Sequence, residues 1–191
     1  MDLNITMLKD AGEALDKIMD AVSKFAKMIG SAAGTASEII EWNVARNTRK
    51  TLLNVSITGT YVSQTQTRIL LPTLEEYIEN PDPKNWNLIK ESIESTLASV
   101  RKMSDELKGA AMAIATTEFF PVLVGAVAQR QLMLMRISKI PAPQTGEEIE
   151  AVKEFLRKYK LLVEQLVEAN SALGKYIDGL KAQNKWPIRG D

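Results

Sequence analysis

The sequence contains no cysteine. The chain can therefore form no disulfide, no thiolate metal site and no cysteine nucleophile. It also contains no histidine, which is the commonest general base and metal ligand at neutral pH. These absences exclude Ser-His-Asp triads, histidine-ligated zinc and the Glu-x-x-His di-iron bundle. We therefore expect a protein that is not an enzyme and that holds no cofactor or metal.

Neither sign of charge predominates, because 24 basic residues balance 24 acidic ones and both are scattered along the chain. No basic face emerges, so we expect no nucleic-acid partner. The first ten residues lack the basic and apolar regions of a cleaved signal peptide. We expect a soluble form, either cytoplasmic or secreted without such a signal, and leave membrane association open. A length of 191 residues suits one domain covering residues 1–191.

Apolar residues at helical spacing dominate the sequence and predict a first helix over residues 5–29. Asn4 is in place to cap its start, and Gly30 stands where a helix-ending glycine belongs. The apolar positions alternate by three and four residues: Leu8, Ala11, Leu15, Ile18, Val22, Phe25 and Ile29.

The second helix is predicted over residues 35–79, beginning at a capping box formed by Thr35 and Glu38. Residues 54–67 are ambiguous, because they are rich in Thr, Ser and Val and also fit a strand. We favour a helix there, since a lone strand without partners is not viable. Pro72 is expected to kink or break this helix.

Three further helices are predicted over residues 83–107, 108–139 and 145–183, and the alternative for the first two is one continuous helix bent near Gly109 or Pro121. Asp82 and Pro83 form a helix start, and Thr145 with Glu148 forms a second capping box. The fold class that follows is all-α: an elongated antiparallel bundle of about five long helices with coiled-coil-like packing.

The most unusual segment is GAAMAIATTEFFPVLVGAVAQ, residues 109–129, whose only formal charge is Glu118. A segment that is apolar all round must be hidden in a core or a membrane. Three interpretations stay open: a central bundle helix, a permanent transmembrane helix, or a helix that is packed in water and unpacks into a bilayer. An ionised Glu118 would cost roughly 2–3 kcal/mol in the bilayer.

Glu118 is therefore the candidate switch, since protonation would ease membrane insertion. The alternative is an ion pair with a basic residue of another helix. If Glu118 is a switch, Glu118→Gln should increase liposome binding at neutral pH. Gly109, Pro121 and Gly125 are candidate hinges for unpacking.

A candidate membrane or partner segment extends this run to residue 139. Basic residues Arg130, Arg136 and Lys139 flank its methionines and would favour anionic lipid, although core packing explains the same pattern. The contacting residues proposed for this segment are Phe119, Phe120, Val122, Leu123, Val124, Met133 and Met135.

Asn170 occupies a core position of the last helix, where a buried Asn sets register or oligomer state. A solvent-reaching side chain is the alternative. In outline, the long helices and the single apolar segment resemble α-helical pore-forming toxins and the membrane-disrupting domains of cell-death effectors, with no residue motif to transfer.

The leading hypothesis is a non-enzymatic helical bundle that associates with itself, with another protein or, through residues 109–139, with a membrane. The alternative is a scaffold or adaptor that assembles through its heptad faces and never meets a membrane.

Overall fold

The computed structural model describes residues 3–32, 42–114 and 119–182. All elements in these ranges are helical, which confirms the all-α bundle. The elements are α1 (Leu3–Ala32), α2 (Trp42–Thr65), a π-helical turn (Gln66–Leu70), α3 (Leu71–Glu79), α4 (Pro83–Ile114), α5 (Phe119–Ile137) and α6 (Gly146–Ala182).

Several helix ends differ from the sequence predictions. Asn4 lies inside α1 and is not its cap, and Gly30 lies inside α1 because the helix continues to Ala32. The division expected between residues 107 and 108 is absent, since α4 runs on through Gly109 to Ile114. The capping box predicted at Thr35 and Glu38 lies outside the described residues.

The ambiguous stretch 54–67 is helical throughout. Its hydroxyl side chains bond within the helix instead of competing with it. Thr60 Oγ1 donates to the carbonyl of Ser56 at 2.9 Å, and Thr65 Oγ1 donates to the carbonyl of Tyr61 at 3.0 Å. The β-branched, polar composition that suggested a strand is therefore compatible with a helix here.

Pro72 does not break the chain's second helix, because α2, the π-helical turn and α3 form one continuous rod. In the π-helical turn the backbone N–H of Leu71 donates to the carbonyl of Gln66, five residues earlier. The wider turn directly precedes the residue that lacks an N–H and whose ring crowds the preceding turn. The π-helical turn, which begins at the buried Gln66, accommodates the change in backbone hydrogen bonding that Pro72 requires.

The five rods form a closed ring in which each packs extensively against two others. The order around the ring is α1, α5, α4, the α2–α3 rod, α6 and back to α1. Extensive packing across the ring, such as α5 against α2 or α6, is not found between the described helices. The bundle therefore has an interior bounded by five helices, wider than that of a four-helix bundle.

Because the ring has an odd number of members, neighbouring helices cannot alternate in direction throughout. Asn4 of α1 bonds to Glu148 of α6, and further along both helices Lys158 Nζ lies 2.7 Å from Asp16 Oδ2. The α1 and α6 helices therefore run parallel. The predicted antiparallel arrangement holds for the hairpins that α4 makes with α3 and with α5, and α1 with α6 is a parallel pair within it.

The loop between α5 and α6 is fixed to the rest of the bundle by two aromatic side chains. Trp86 Nε1 donates to the carbonyl of Ile140 at 2.9 Å, and the Tyr77 hydroxyl donates to the carbonyl of Pro143. Burial, with Glu148 and Asp82 nearby, raises the pKa of Tyr77 to about 12. Tyr77 therefore stays a neutral donor at all ordinary pH values.

The predicted capping box at the start of α6 is confirmed and is larger than expected. Glu148 Oε2 accepts from the backbone N–H groups of Gln144 at 2.8 Å and Thr145 at 2.9 Å, and the Glu148 N–H donates to Thr145 Oγ1 at 3.2 Å. Asn4 Nδ2 of α1 donates to Glu148 Oε1 at 2.6 Å. These bonds lower the pKa of Glu148 to about 2 from its ordinary 4.5.

We predict that Glu148 stabilises the fold above pH 4.5 and that this contribution is lost as pH falls toward about 2. The sign follows because the carboxylate binds protons less readily in the folded state than in the unfolded state. Glu148→Gln should lower the free energy of unfolding at pH 7 by on the order of 2 kcal/mol. Urea titrations from pH 7 to pH 2 measure this.

The matched control is Glu147→Gln, which removes the same charge from an exposed side chain in the same helical turn. The prediction fails if both variants lose the same stability at pH 7, or if the difference between them persists unchanged at pH 2.

Candidate binding site in the lumen of the bundle

The ring leaves a lumen too wide for short side chains to fill. Neighbouring packed helices have axes about 8–10 Å apart, so non-neighbouring axes in a regular five-membered ring are about 13–16 Å apart. Side chains that meet across this distance must be long. Three buried polar residues do so: Arg130 of α5, Gln66 of the π-helical turn and Tyr159 of α6.

These three residues form a hydrogen-bonded cluster, here called the lumen cluster. Arg130 Nη2 donates to Gln66 Oε1 at 2.6 Å. Gln66 Nε2 donates to the Tyr159 hydroxyl, which is also hydrogen-bonded to Arg130. The exposed fractions are 5% for Arg130, 0% for Gln66 and 1% for Tyr159. The cluster therefore connects three helices through the interior, although α5 packs against neither of the other two.

The lumen cluster has more donors than acceptors. A guanidinium and a side-chain amide supply many N–H groups, whereas the acceptors are one amide oxygen and one hydroxyl oxygen. The Nε–H of Arg130 is buried and has no partner among the described residues. A buried donor without an acceptor costs about 1–3 kcal/mol, and more when it belongs to a charged group.

The charge of Arg130 also has no acidic partner among the described residues. Burial is the main influence on the pKa of Arg130 and lowers it, while the neighbouring Tyr159 partly opposes the shift. No acidic side chain contributes to this pKa or forms an ion pair with Arg130 in the part of the chain that the structure describes. A guanidinium keeps its proton in proteins, so a cation is held in the lumen.

Burial raises the pKa of Tyr159, while Arg130 and Gln66 oppose the shift. The phenol therefore remains protonated and cannot act as the counter-charge of Arg130. Its oxygen accepts hydrogen bonds, and its own hydrogen is available as a further donor.

Arg130 lines a cavity of about 60 Å³ inside the ring. All five rods contribute to its wall, which identifies the cavity as part of the lumen. Its polar lining consists of Arg130, Ser63 and Asn170, with Gly59 at the backbone, and the remaining lining is apolar. A water molecule needs about 10–15 Å³ of such space, so the cavity has room for a few small atoms beside the Arg130 side chain.

Asn170, predicted to set register or reach solvent, is partly buried where α6 packs against α2. Its Nδ2 donates to Thr60 Oγ1 at 2.5 Å. The opposing residue is Gly59, where a Cβ atom would lie 2.9 Å from Asn170 Oδ1. The end of the Asn170 side chain therefore occupies the space that a side chain at residue 59 would need.

The apolar residues predicted to contact a membrane or partner lie mainly inside the bundle. Leu123 and Met133 are buried, and Val122, Val124 and Met135 are partly buried against the same core. Phe119 and Phe120 begin α5, with side chains outside the described part. Glu118, the candidate switch, also lies outside it.

The candidate hinges lie within helices wherever the structure describes them. Pro121 is in the first turn of α5, where a missing N–H breaks no hydrogen bond, and Gly125 is inside the same unbroken helix. Gly109 lies within α4. None of them marks an interruption of a described helix, and their role in unpacking stays a prediction.

Arg130 was predicted, together with the exposed Arg136 and Lys139, to be one of the basic residues that flank the apolar run. The structure corrects this, because Arg130 is in the core. A signal was present in the sequence: counting back by three and four from Met133 places Arg130 on the same helix face as Val127 and Leu123. A charged residue at a core position of the repeat indicated a buried cation.

The described helices contain no segment long and apolar enough to cross a membrane. The described side chains also include no group of three or more acidic residues that could hold a metal ion. No protein family, curated protein or solved structure matches the chain.

We predict that the free energy of unfolding of Gly59→Ala is lower than that of Gly174→Ala by at least about 1 kcal/mol. Both changes gain about 0.5–1 kcal/mol of helix propensity. Only the first forces Asn170 away and breaks its bond to Thr60, because no atom lies within 4 Å of a Cβ at Gly174. Chemical denaturation of the two variants measures the difference.

The double variant Gly59→Ala with Asn170→Ala tests the cause. If steric conflict with Asn170 is responsible, the cost of the alanine at position 59 disappears once Asn170 is truncated. Additive effects of the two substitutions would contradict this explanation.

Proposed function

We propose that this chain is a non-enzymatic binding protein whose lumen takes up a small anionic ligand at Arg130. The observation that carries the proposal is the guanidinium itself, which is 5% exposed, has a free Nε–H and lacks an acidic partner among the described residues. An uncompensated cation in a protein interior costs several kcal/mol. A bound anion removes that cost and supplies the missing acceptor.

The cavity supports the same proposal because Arg130 is one of its lining residues. A buried arginine that served only packing would leave little space beside its side chain, since protein interiors are close-packed. Here the Arg130 side chain lines a cavity of about 60 Å³. The cation and the space together provide charge, hydrogen-bond donors and room for a ligand.

Two broader predictions from the sequence remain predictions. One is self-association or partner binding through helix faces, as in a scaffold. The other is membrane association through residues 109–139, as in pore-forming proteins. The burial of Leu123 and Met133 gives the membrane version no additional support, since it requires the bundle to open first.

We predict opposite effects of ligand on wild-type protein and on Arg130→Met. The wild-type melting temperature should rise with the concentration of at least one anion among chloride, phosphate, acetate and propionate, at constant ionic strength and pH 7. The stabilisation follows RT ln(1 + [L]/Kd), about 2.7 kcal/mol at one hundred times Kd. Arg130→Met should show no such rise.

Without ligand, Arg130→Met removes a buried charge but leaves Gln66 Oε1 without its donor, which costs about 1–3 kcal/mol, so the test rests on the response to anions and not on the stability of the unliganded protein. Arg136→Met is the matched control, since it removes an exposed arginine from the same helix and should keep the wild-type anion response. An equal response of wild type and Arg130→Met to every anion would contradict the proposal.

A further inference from the structure

The lumen cavity is lined mostly by apolar side chains, with Arg130 near one end and Asn170 among the lining residues farther from the lumen cluster. Arg130 lies two helical turns beyond Leu123 toward the C-terminal end of α5, and both residues line the cavity. At 1.5 Å per residue, these seven residues span about 10 Å along the helix. On α1, which runs in the opposite direction, Ile18 and Phe25 line the cavity over the same length. The space is therefore an elongated slot with a cation near one end.

The apolar part of the slot is as distinctive as its cation. On α5, Ala126 and Val127 line the slot between Leu123 and Arg130. Val22 of α1 and Leu173 of α6 also line it. A simple inorganic anion would leave this apolar surface facing either water or an empty space. A ligand that carries both a charged group and an apolar tail would satisfy both the cation and this surface at once.

The donors at Arg130 suit a single carboxylate. A guanidinium presents N–H groups in a planar fork that matches the two oxygens of a carboxylate. The unpartnered Nε–H of Arg130 is one of them, and the Ser63 hydroxyl on the cavity wall adds a neutral donor. One cation balances one negative charge, so a dianion such as phosphate would bring an excess charge into the interior.

The volume limits the length of the tail. About 60 Å³ accommodates roughly four to six atoms the size of a water molecule. Acetate, propionate and butyrate have four, five and six non-hydrogen atoms and fall within this range, whereas hexanoate has eight.

We infer that the lumen binds a short-chain monocarboxylate, with the carboxylate on Arg130 and the alkyl tail along α5 toward Leu123. This assignment rests on the proposed function, because it names the chemical class of the anion that the lumen takes up. Gln66 and Tyr159 hold the guanidinium in place through the bonds of the lumen cluster.

The test is a calorimetric titration of the unmodified protein at pH 7 and constant ionic strength. The ligands are sodium formate, acetate, propionate, butyrate and hexanoate, with chloride and phosphate as inorganic anions. Each methylene buried from acetate to butyrate should tighten binding about fourfold, which corresponds to about 0.8 kcal/mol. Hexanoate should bind more weakly than butyrate because its eight non-hydrogen atoms exceed the volume of about 60 Å³.

A second variant locates the tail. Ala126→Leu adds volume to the apolar part of the slot and leaves Arg130 in place, so it should abolish the preference for butyrate while formate still binds. Ala128→Leu makes the same change at an exposed position of α5 and should behave as the wild type.

The outcomes separate this assignment from the proposed function. If chloride or phosphate binds at Arg130 as tightly as butyrate, or if affinity does not depend on chain length, the carboxylate assignment is wrong and the anion site stands. If hexanoate binds more tightly than butyrate, the size limit is wrong and the assignment to a short chain fails. If no anion binds, both fail, and the cavity holds water around Arg130.

Discussion

The closed ring of five helices is the constraint on which the rest of the structure depends. A five-membered ring forces one neighbouring pair into parallel alignment, and that pair is α1 with α6, joined by the Asn4 bond to Glu148 and by Lys158 with Asp16. The same ring opens a lumen wider than aliphatic side chains can close. Long polar side chains cross it, and one of them carries a charge.

Arg130 places a positive charge inside this ring of helices. An arginine at the surface of a bundle pairs with solvent and contributes little to stability. In the lumen its charge is retained in a low-dielectric setting, and its bonds to the neutral side chains of Gln66 and Tyr159 orient it. Beside it lies space lined mostly by apolar side chains. The proposed anion site rests on three features: a buried cation, a spare donor and a mostly apolar cavity that Arg130 lines.

The helices could be predicted from the sequence because their signals are local. The three-four spacing of α1 and α6 and the pairing of Thr145 with Glu148 each involve residues within a few turns of one another. The second helix was harder to predict, because the bonds from Thr60 and Thr65 back to the preceding turn exist only once the helix has formed.

The lumen cluster could not be predicted in the same way. Gln66, Arg130 and Tyr159 are far apart in sequence and meet only because of the order of helices around the ring. That order depends on long-range packing, as does the parallel pairing of α1 with α6. The position of Arg130 on a core face was visible in the sequence, but its place at the end of the apolar run suggested a border.

The most direct measurement is the NMR resonance of the Arg130 Nε–H, assigned by its loss in Arg130→Met, during titration with butyrate. The account predicts a slowly exchanging signal that shifts in a saturable manner as the carboxylate accepts from this group, while the Arg136 Nε–H stays unchanged. A resonance of Arg130 that exchanges rapidly with water and does not respond to butyrate would contradict the central claim that the lumen holds its cation for an anionic ligand.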